Sequence, residues 1–185
     1  MDILNPLKGR LLIAEASTLQ DTSFNRSIIL LTEYSVENAI GFVLNKPMEY
    51  TIHDLLPDID CHYTIYQGGP VEQDNLYFIH QVPHLLPDSI QVADNMYWGG
   101  DFKVLSQLLK KQQIKNSEIR FFLGYAGWEA NQLEEELEEN TWFVTENDYE
   151  NIFTTDSQIL WKNKMLQKGG AYQIWANAPS DIQLN

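Results

Sequence analysis

The apolar positions of this chain fall in short runs separated by polar turn formers. Runs rich in Val, Ile, Leu and aromatics read as strands at residues 10–14, 27–34, 39–45, 63–67, 76–81, 90–92 with 96–98, 118–125 and 142–145. Residues 28–31 and 121–123 are apolar without alternation, so both faces are expected to be covered and both strands to be central. Ser35-Val36-Glu37-Asn38 links two apolar runs as a hairpin, and Gly68-Gly69-Pro70 before Glu72-Gln73-Asp74-Asn75 makes a looser link.

Helical spacing predicts three helices. Asp101 caps the first, over 102–114, with Leu105, Leu108 and Leu109 as its buried stripe. The second runs from about 129 to 139, with Ala130, Leu133 and Leu137 inward, glutamates outward and Asn140 as its stop. The third, capped by Thr155 or Asp156, covers about 157–167 and ends at Gly169-Gly170. A short turn over 52–56 is capped by Thr51 and stops before Pro57. Trp161 and Trp175 are expected to pack in a closing helix and strand. Strands and helices do not alternate regularly, which predicts an α+β fold over a doubly wound sheet.

Composition narrows the function classes. The 185 residues suit one domain, and 44% hydrophobic with 21% charged residues is the balance of a folded soluble protein. Twelve Lys+Arg against 26 Asp+Glu give a net charge of −14, which repels phosphate backbones and anionic lipid. Five of the 12 basic residues lie between Lys103 and Arg120, whereas residues 129–150 hold nine acids and no base. The most basic predicted helix has Lys103, Lys110 and Lys111 but no Arg, the usual bidentate reader of guanine, so direct DNA contact is not expected. Cys61 is alone, which excludes an internal disulfide. Neither a signal peptide nor a membrane span is visible, and a cytoplasmic location is the expectation.

Several segments could carry chemistry, and each has a plainer structural reading. Gly124-Tyr125-Ala126-Gly127-Trp128 reads as a turn from a buried strand to a helix start, with Trp128 plugging the core. Its functional reading is the edge of a ligand site, where free helix N–H groups would meet a polar ligand. Gly68-Gly69-Pro70-Val71 is a second backbone-permissive loop, or simply a loop corner. Asn45-Lys46 could hold a carbonyl or carboxylate, or satisfy strand-end backbone groups. Arg26, entering a central strand, needs an acid or several carbonyls; Asp21 is a nearby partner, and anion binding is the lesser role. His80 and His84 have a two-ligand helical spacing, but residues 76–81 read as strand and Pro83 interrupts a helix, so no metal is expected. Cys61 and His62 would point to opposite faces of a strand, and no nucleophile elbow is present. The glutamates of 129–139 read as a solvated helix face, open to a basic partner.

Taken in order, these segments resemble the bacterial AlgH-like (YqgE) family. The match runs through Gly9-Arg10-Leu11-Leu12-Ile13-Ala14, Asp21 with Phe24-Asn25-Arg26-Ser27, Gly41-Phe42-Val43-Leu44-Asn45-Lys46-Pro47, Gly68-Gly69-Pro70-Val71, Gly124-Tyr125-Ala126-Gly127-Trp128 and Gln132-Leu133-Glu134 before Trp142. Leu160-Trp161, Gly169-Gly170 and Ala178-Pro179 follow more loosely. The resemblance is strongest over about residues 9–144 and implies one domain over 1–185. It implies a compact α+β fold with a bifurcated, barrel-like mixed β-sheet flanked by helices, a cytosolic location and a transcriptional-regulator label. It implies no reaction, cofactor or catalytic residue. Ala16 and Thr22 stand where proline is usual, Tyr34 where histidine is common, and Ala130-Asn131 where Pro-Gly is usual.

Two functions remain. The first is a non-enzymatic regulatory or interaction protein that binds a protein partner or small ligand, without cofactor, metal, nucleic acid or membrane. The second is a small-molecule-binding protein or enzyme with a pocket near Asn45, Gly69, Tyr125 and Trp128. The ligand-site residues expected on either reading are Arg26, Asn45, Gly68, Gly69, Gly124, Tyr125, Gly127 and Trp128.

Overall fold

Residues 4–149 and 151–178 are described by the computed structural model. Ten strands form one sheet: β1 (Leu11–Ala14), β2 (Ile28–Tyr34), β3 (Ala39–Val43), β4 (Pro47–Thr51), β5 (Thr64–Gln67), β6 (Val71–His80), β7 (Ile90–Ala93), β8 (Met96–Trp98), β9 (Ile119–Trp128) and β10 (Trp142–Thr145). Among the described residues five α-helices accompany them, α1 (Ile52–Leu55), α2 (Phe102–Lys110), α3 (Gln132–Glu138), α4 (Ser157–Lys168) and α5 (Tyr172–Asn177), with a 3-10 helix at Ala16–Gln20. The strands run β10-β1-β2-β3-β9-β6-β8-β7, with β4 and β5 branching from β9. The unalternated run 28–31 is buried on both faces, as is β1 beside it, so the apolar segments do take central places.

The sheet is bifurcated as expected, and β9 is where it divides. The first half of β9 pairs in parallel with β5 (Ile65↔Phe121), and the second half pairs antiparallel with β3 (Gly41↔Ala126). The opposite edge pairs with β6 over Ile119–Leu123 and again, after a register shift, at Tyr125. That one parallel pair makes the sheet mixed. It is not a closed barrel: β10 and β7 end the strand order, and no ladder joins them among the described residues.

Gly124-Tyr125-Ala126-Gly127-Trp128 is not a turn. It completes the ten-residue strand β9, because β3 and β6 both supply ladder partners. Gly124 takes the positive φ (69°), at a point where the β6 register slips, and the conformation marks an irregularity within the strand. Gly127 lies in the ladder opposite Ile40.

Other boundaries moved for local reasons. The unpredicted β4 and first half of β6 are largely polar and exposed, so backbone pairing, not apolar burial, defines them. α2 begins at its Asp101 cap, whose side chain accepts from Lys103 and Val104, but stops before 114 where Gln112 turns left-handed. α3 starts after Asn131 (φ 62°) and stops at Asn140 (φ 56°), the stop residue read from the sequence. Asp156 caps α4, and Gly169 (φ 75°) follows it. Trp175 lies in the helix α5, not in a strand.

The apolar residues pack in two clusters. One joins β1, β2 and β3 to Trp128, Trp142 and α4; the other joins β5 and the start of β9 to α1 and α2. No described helix is long and apolar enough to cross a membrane.

Candidate functional site

A cleft of about 900 Å³ borders β10. Its walls come from Glu134, Leu137 and Glu138 of α3, all four residues of β10, Lys164, Gln167 and Lys168 of α4, and residues 4–7. Trp142 anchors β10 below it: its indole Nε1 donates to Glu136 Oε2 at 2.7 Å, and Trp128 Nε1 donates to the same oxygen at 2.8 Å. Gln132 Nε2 donates to the other carboxylate oxygen at 2.9 Å. Glu136 therefore ties α3 to two strands, and the glutamate face of that helix is only partly a solvated one.

The cleft holds its own cations tightly. Lys164 is buried and paired with Asp148, with its ammonium 5.0 Å from the Tyr149 ring. Lys168 Nζ sits 2.8 Å from Glu15 Oε1, and 3.6 and 4.1 Å from the ring centres of Phe143 and Tyr172. The Tyr172 hydroxyl donates to the same Glu15 oxygen at 3.0 Å. This is an ammonium caged by two rings and a carboxylate, a geometry in which electrostatic attraction to the ring faces adds to the ion pair. On the α3 side the Tyr34 hydroxyl donates to Glu134 at 2.7 Å, and that bond with burial pushes the phenol up to about 12. Five carboxylates (Glu15, Glu134, Glu138, Glu146, Asp148) line the cleft against two ammonium groups and the Arg10 guanidinium paired with Glu146, so its field is negative. A second, polar cavity of about 460 Å³ lies between residues 7–10 and the turn joining β7 to β8.

The sequence-predicted site residues line neither cavity. Asn45 and Arg26 meet each other. Asn45 Nδ2 donates to the Arg26 carbonyl at 2.8 Å, and its Oδ1 accepts from the Ile28 amide at 2.9 Å. Asn45 thus fills the strand-end role. Lys46 Nζ donates to the Ser23 carbonyl at 2.6 Å, and burial pushes its pKa down. Arg26 Nη2 donates to the Ala178 carbonyl at 2.8 Å, and the guanidinium lies 5.1 Å from the Trp161 ring. Asp21 Oδ1 accepts from the Ser23 and Phe24 amides.

Gly68, Gly69, Gly124 and Tyr125 come together as a backbone junction. Gly68 bridges the two branches of the sheet: its amide donates to Leu123 and its carbonyl accepts from Val43, both at 2.8 Å. A Cβ on Gly69 would lie 2.1 Å from the Tyr125 carbonyl carbon, and one on Gly68 would lie 2.2 Å from the Gly124 oxygen. The glycines are therefore needed for backbone to cross backbone. Gly127 and Trp128 lie farther along β9, opposite Ile40 and Ala39.

Comparison with known proteins decides the family. The AlgH-like family model matches residues 11–173. The chain belongs to the AlgH-like family. A UPF0301 protein of Chlorobaculum parvum is 40% identical over 172 residues, covering 92% of this chain and 91% of its own. One from Cytophaga hutchinsonii is 39% identical over 180 residues, covering 96% and 98%. The solution structure of the Pseudomonas aeruginosa AlgH protein is similar with a TM-score of 0.73 at 25% identity, covering 97% of this chain and 98% of its own. A crystal structure from Corynebacterium diphtheriae shares the fold with a TM-score of 0.74 at 19% identity, covering 96% and 95%.

Two departures of this AlgH-like chain from the resembled pattern now have a structural setting. Asn131 adopts φ 62° where glycine is usual, a conformation Asn tolerates better than most residues. Tyr34, where histidine is common, supplies the hydroxyl that binds Glu134.

Three buried charged side chains, Glu15, Arg120 and Lys164, were missed by sequence reading. Arg120, 4% exposed, donates to the carbonyls of Leu44 (2.8 Å) and Phe153 (2.9 Å) and stacks 4.3 Å from the Tyr66 ring centre. Burial pushes its pKa down. Glu15 and Lys164 are the cleft residues already described; nothing in their sequence surroundings marks them, since their partners lie on distant elements.

His80 is fully buried, and Nδ1 accepts from the Val82 amide at 3.1 Å. The proton is therefore on Nε2, which faces the Gly99 carbonyl at 3.0 Å. Ser89 Oγ is also 3.0 Å from Nε2, but its hydroxyl donates to the Leu86 carbonyl at 2.7 Å. In this tautomer His80 has no free lone pair to act as a base towards Ser89. The rings of His53 and His62 are 5.0 Å apart, yet no group of three or more metal-ligating side chains is assembled among the described residues.

Burial pushes the His80 pKa below the ordinary histidine value, so the folded state favours the neutral ring. The unfolded chain then takes up this proton first, and the contribution is full above about pH 6.5, the unperturbed histidine value. It is lost as pH falls from there through the depressed folded pKa. Urea melts between pH 7.5 and 5 are expected to show falling stability, and His80→Asn to flatten that slope. An unchanged slope in the variant would contradict the assignment.

Proposed function

We propose that this chain is a non-enzymatic interaction protein that binds a partner or small ligand in the cleft bordering β10, without direct DNA contact. The observation that carries this reading is the cleft itself. It joins an apolar floor (Leu137, Trp142, Val144) to an acidic rim, and both of its lysines are held by carboxylates of the same wall. Such a site favours apolar cations and repels phosphates. The reading includes regulation by binding, in which the occupied cleft is what a downstream partner senses.

Arylalkylamines such as phenethylamine are expected to raise the melting temperature, since a ligand of the folded state alone stabilises it by mass action. Val144→Lys, which puts a cation into the cleft, should abolish that rise. The same amines acting equally on wild type and variant would sink the proposal. A low-salt gel shift should show no retarded duplex; tight, salt-sensitive binding would overturn the DNA part of the reading.

A further inference from the structure

The cleft contains an open sheet edge. In β1 the Ala14 amide donates to Ser27 on the β2 side, whereas the Glu15 amide donates to Thr141 on the β10 side. By alternation Ile13 and Leu11 aim their backbone groups at β10, and their register partners Phe143 and Thr145 aim theirs back. Trp142 and Val144 therefore present N–H and C=O groups on the outer side, where no strand pairs with them among the described residues. Trp142 is buried, while Val144 is half-buried and lines the cleft. An unpaired edge of this kind is a template for another extended chain.

Charge selects the occupant. Residues 129–150, which include β10 and all of α3, carry nine acids and no base. Glu138 is exposed at the cleft rim and makes no side-chain hydrogen bond or ion pair among the described residues. The cage of Phe143, Tyr172 and Glu15 is filled by this chain's own Lys168, so the carboxylate offered to a partner's cation is Glu138.

Resting on the binding reading above, we infer that the cleft takes an extended, basic segment of a partner protein, which adds to β10 as a further strand. Its backbone pairs with Val144, alternate apolar side chains enter the cleft, and the intervening Lys or Arg residues face Glu138 and Glu134. Main-chain pairing supplies affinity, and the acidic rim supplies selectivity and a fast, salt-sensitive encounter.

The test uses short capped peptides: alternating Lys and Val, alternating Glu and Val, and the Lys/Val peptide with N-methylated backbone. Amide chemical shifts of the whole protein report binding. The Lys/Val peptide is expected to shift the amides of Trp142 and Val144 and to bind about tenfold or more tightly than the Glu/Val peptide. N-methylation should weaken it about tenfold or more, since it removes the ladder donors. Glu138→Lys, at an exposed position, should weaken it about two- to fivefold. Equal affinity for the acidic and basic peptides, or for the methylated one, would overturn strand addition, as would shifts confined elsewhere. If the peptides fail while arylalkylamines still bind, strand addition is wrong and the binding cleft stands. If both fail, the two readings fall together.

Discussion

Gly69→Ala is expected to destabilise the protein by about 3 kcal/mol or more, the upper range for overpacking a tight site. The added methyl would lie 2.1–2.3 Å from the Tyr125 carbonyl group and the Ala126 nitrogen, all backbone atoms of β9. No side-chain rotation relieves that contact; the two branches of the sheet must part. Gly127→Ala is the control. Its Cβ would meet Tyr125 Cε2 at 3.1 Å, a ring edge that can turn, so the loss should stay near the ~1 kcal/mol of ordinary Gly/Ala effects. Urea melts of both variants decide the matter. A Gly69→Ala loss no larger than that of Gly127→Ala would refute the crossing as the structural pivot.

Arg120→Ala is expected to cost about 3–5 kcal/mol. The substitution leaves the buried carbonyls of Leu44 and Phe153 without their donor, at about 1–3 kcal/mol for each such group. It also removes a guanidinium stacked on Tyr66 and leaves a void beside it. Arg120→Lys should rescue little, because one ammonium cannot both span two carbonyls and lie flat on a ring. Denaturant melts test both variants; a loss below about 1 kcal/mol for Arg120→Ala would mean that water or a neighbour replaces the donor.

Much of the fold is visible in local pattern. The unalternated run 28–31 is a central strand because full burial demands apolar residues on both faces. Asp101, Asn140 and Gly169 mark helix ends through a side-chain cap and left-handed conformations that Asn and Gly tolerate, whereas Gln112 turns left-handed with no such signal. The errors arise where pairing outweighs pattern. Two glycines at 124 and 127 look like a turn, yet ladders from β3 and β6 carry the strand through them. The start of β6 is too polar to read as strand, but Val71 pairs with Tyr125 across β9.

The cleft was less legible than the fold. Its walls come from residues 4–7, Glu15, Tyr34, α3, β10 and α4, and no short window contains two of its ion pairs. The glutamates of α3 were visible as a row. Which of them would receive two indole N–H groups depends on how α3 packs against β9 and β10. Conversely, Asn45 and the paired glycines stand out in sequence because backbone geometry needs them, and their polar groups serve the sheet junction.

Amide chemical-shift mapping with phenethylamine tests the location of binding most directly. Perturbations are expected to concentrate at residues 142–145, Leu137 and Lys168, with the amides of Gly69 and Tyr125 unmoved. Perturbations centred on Asn45, Gly69, Tyr125 and Trp128, with β10 silent, would contradict it and place the site at the sheet junction.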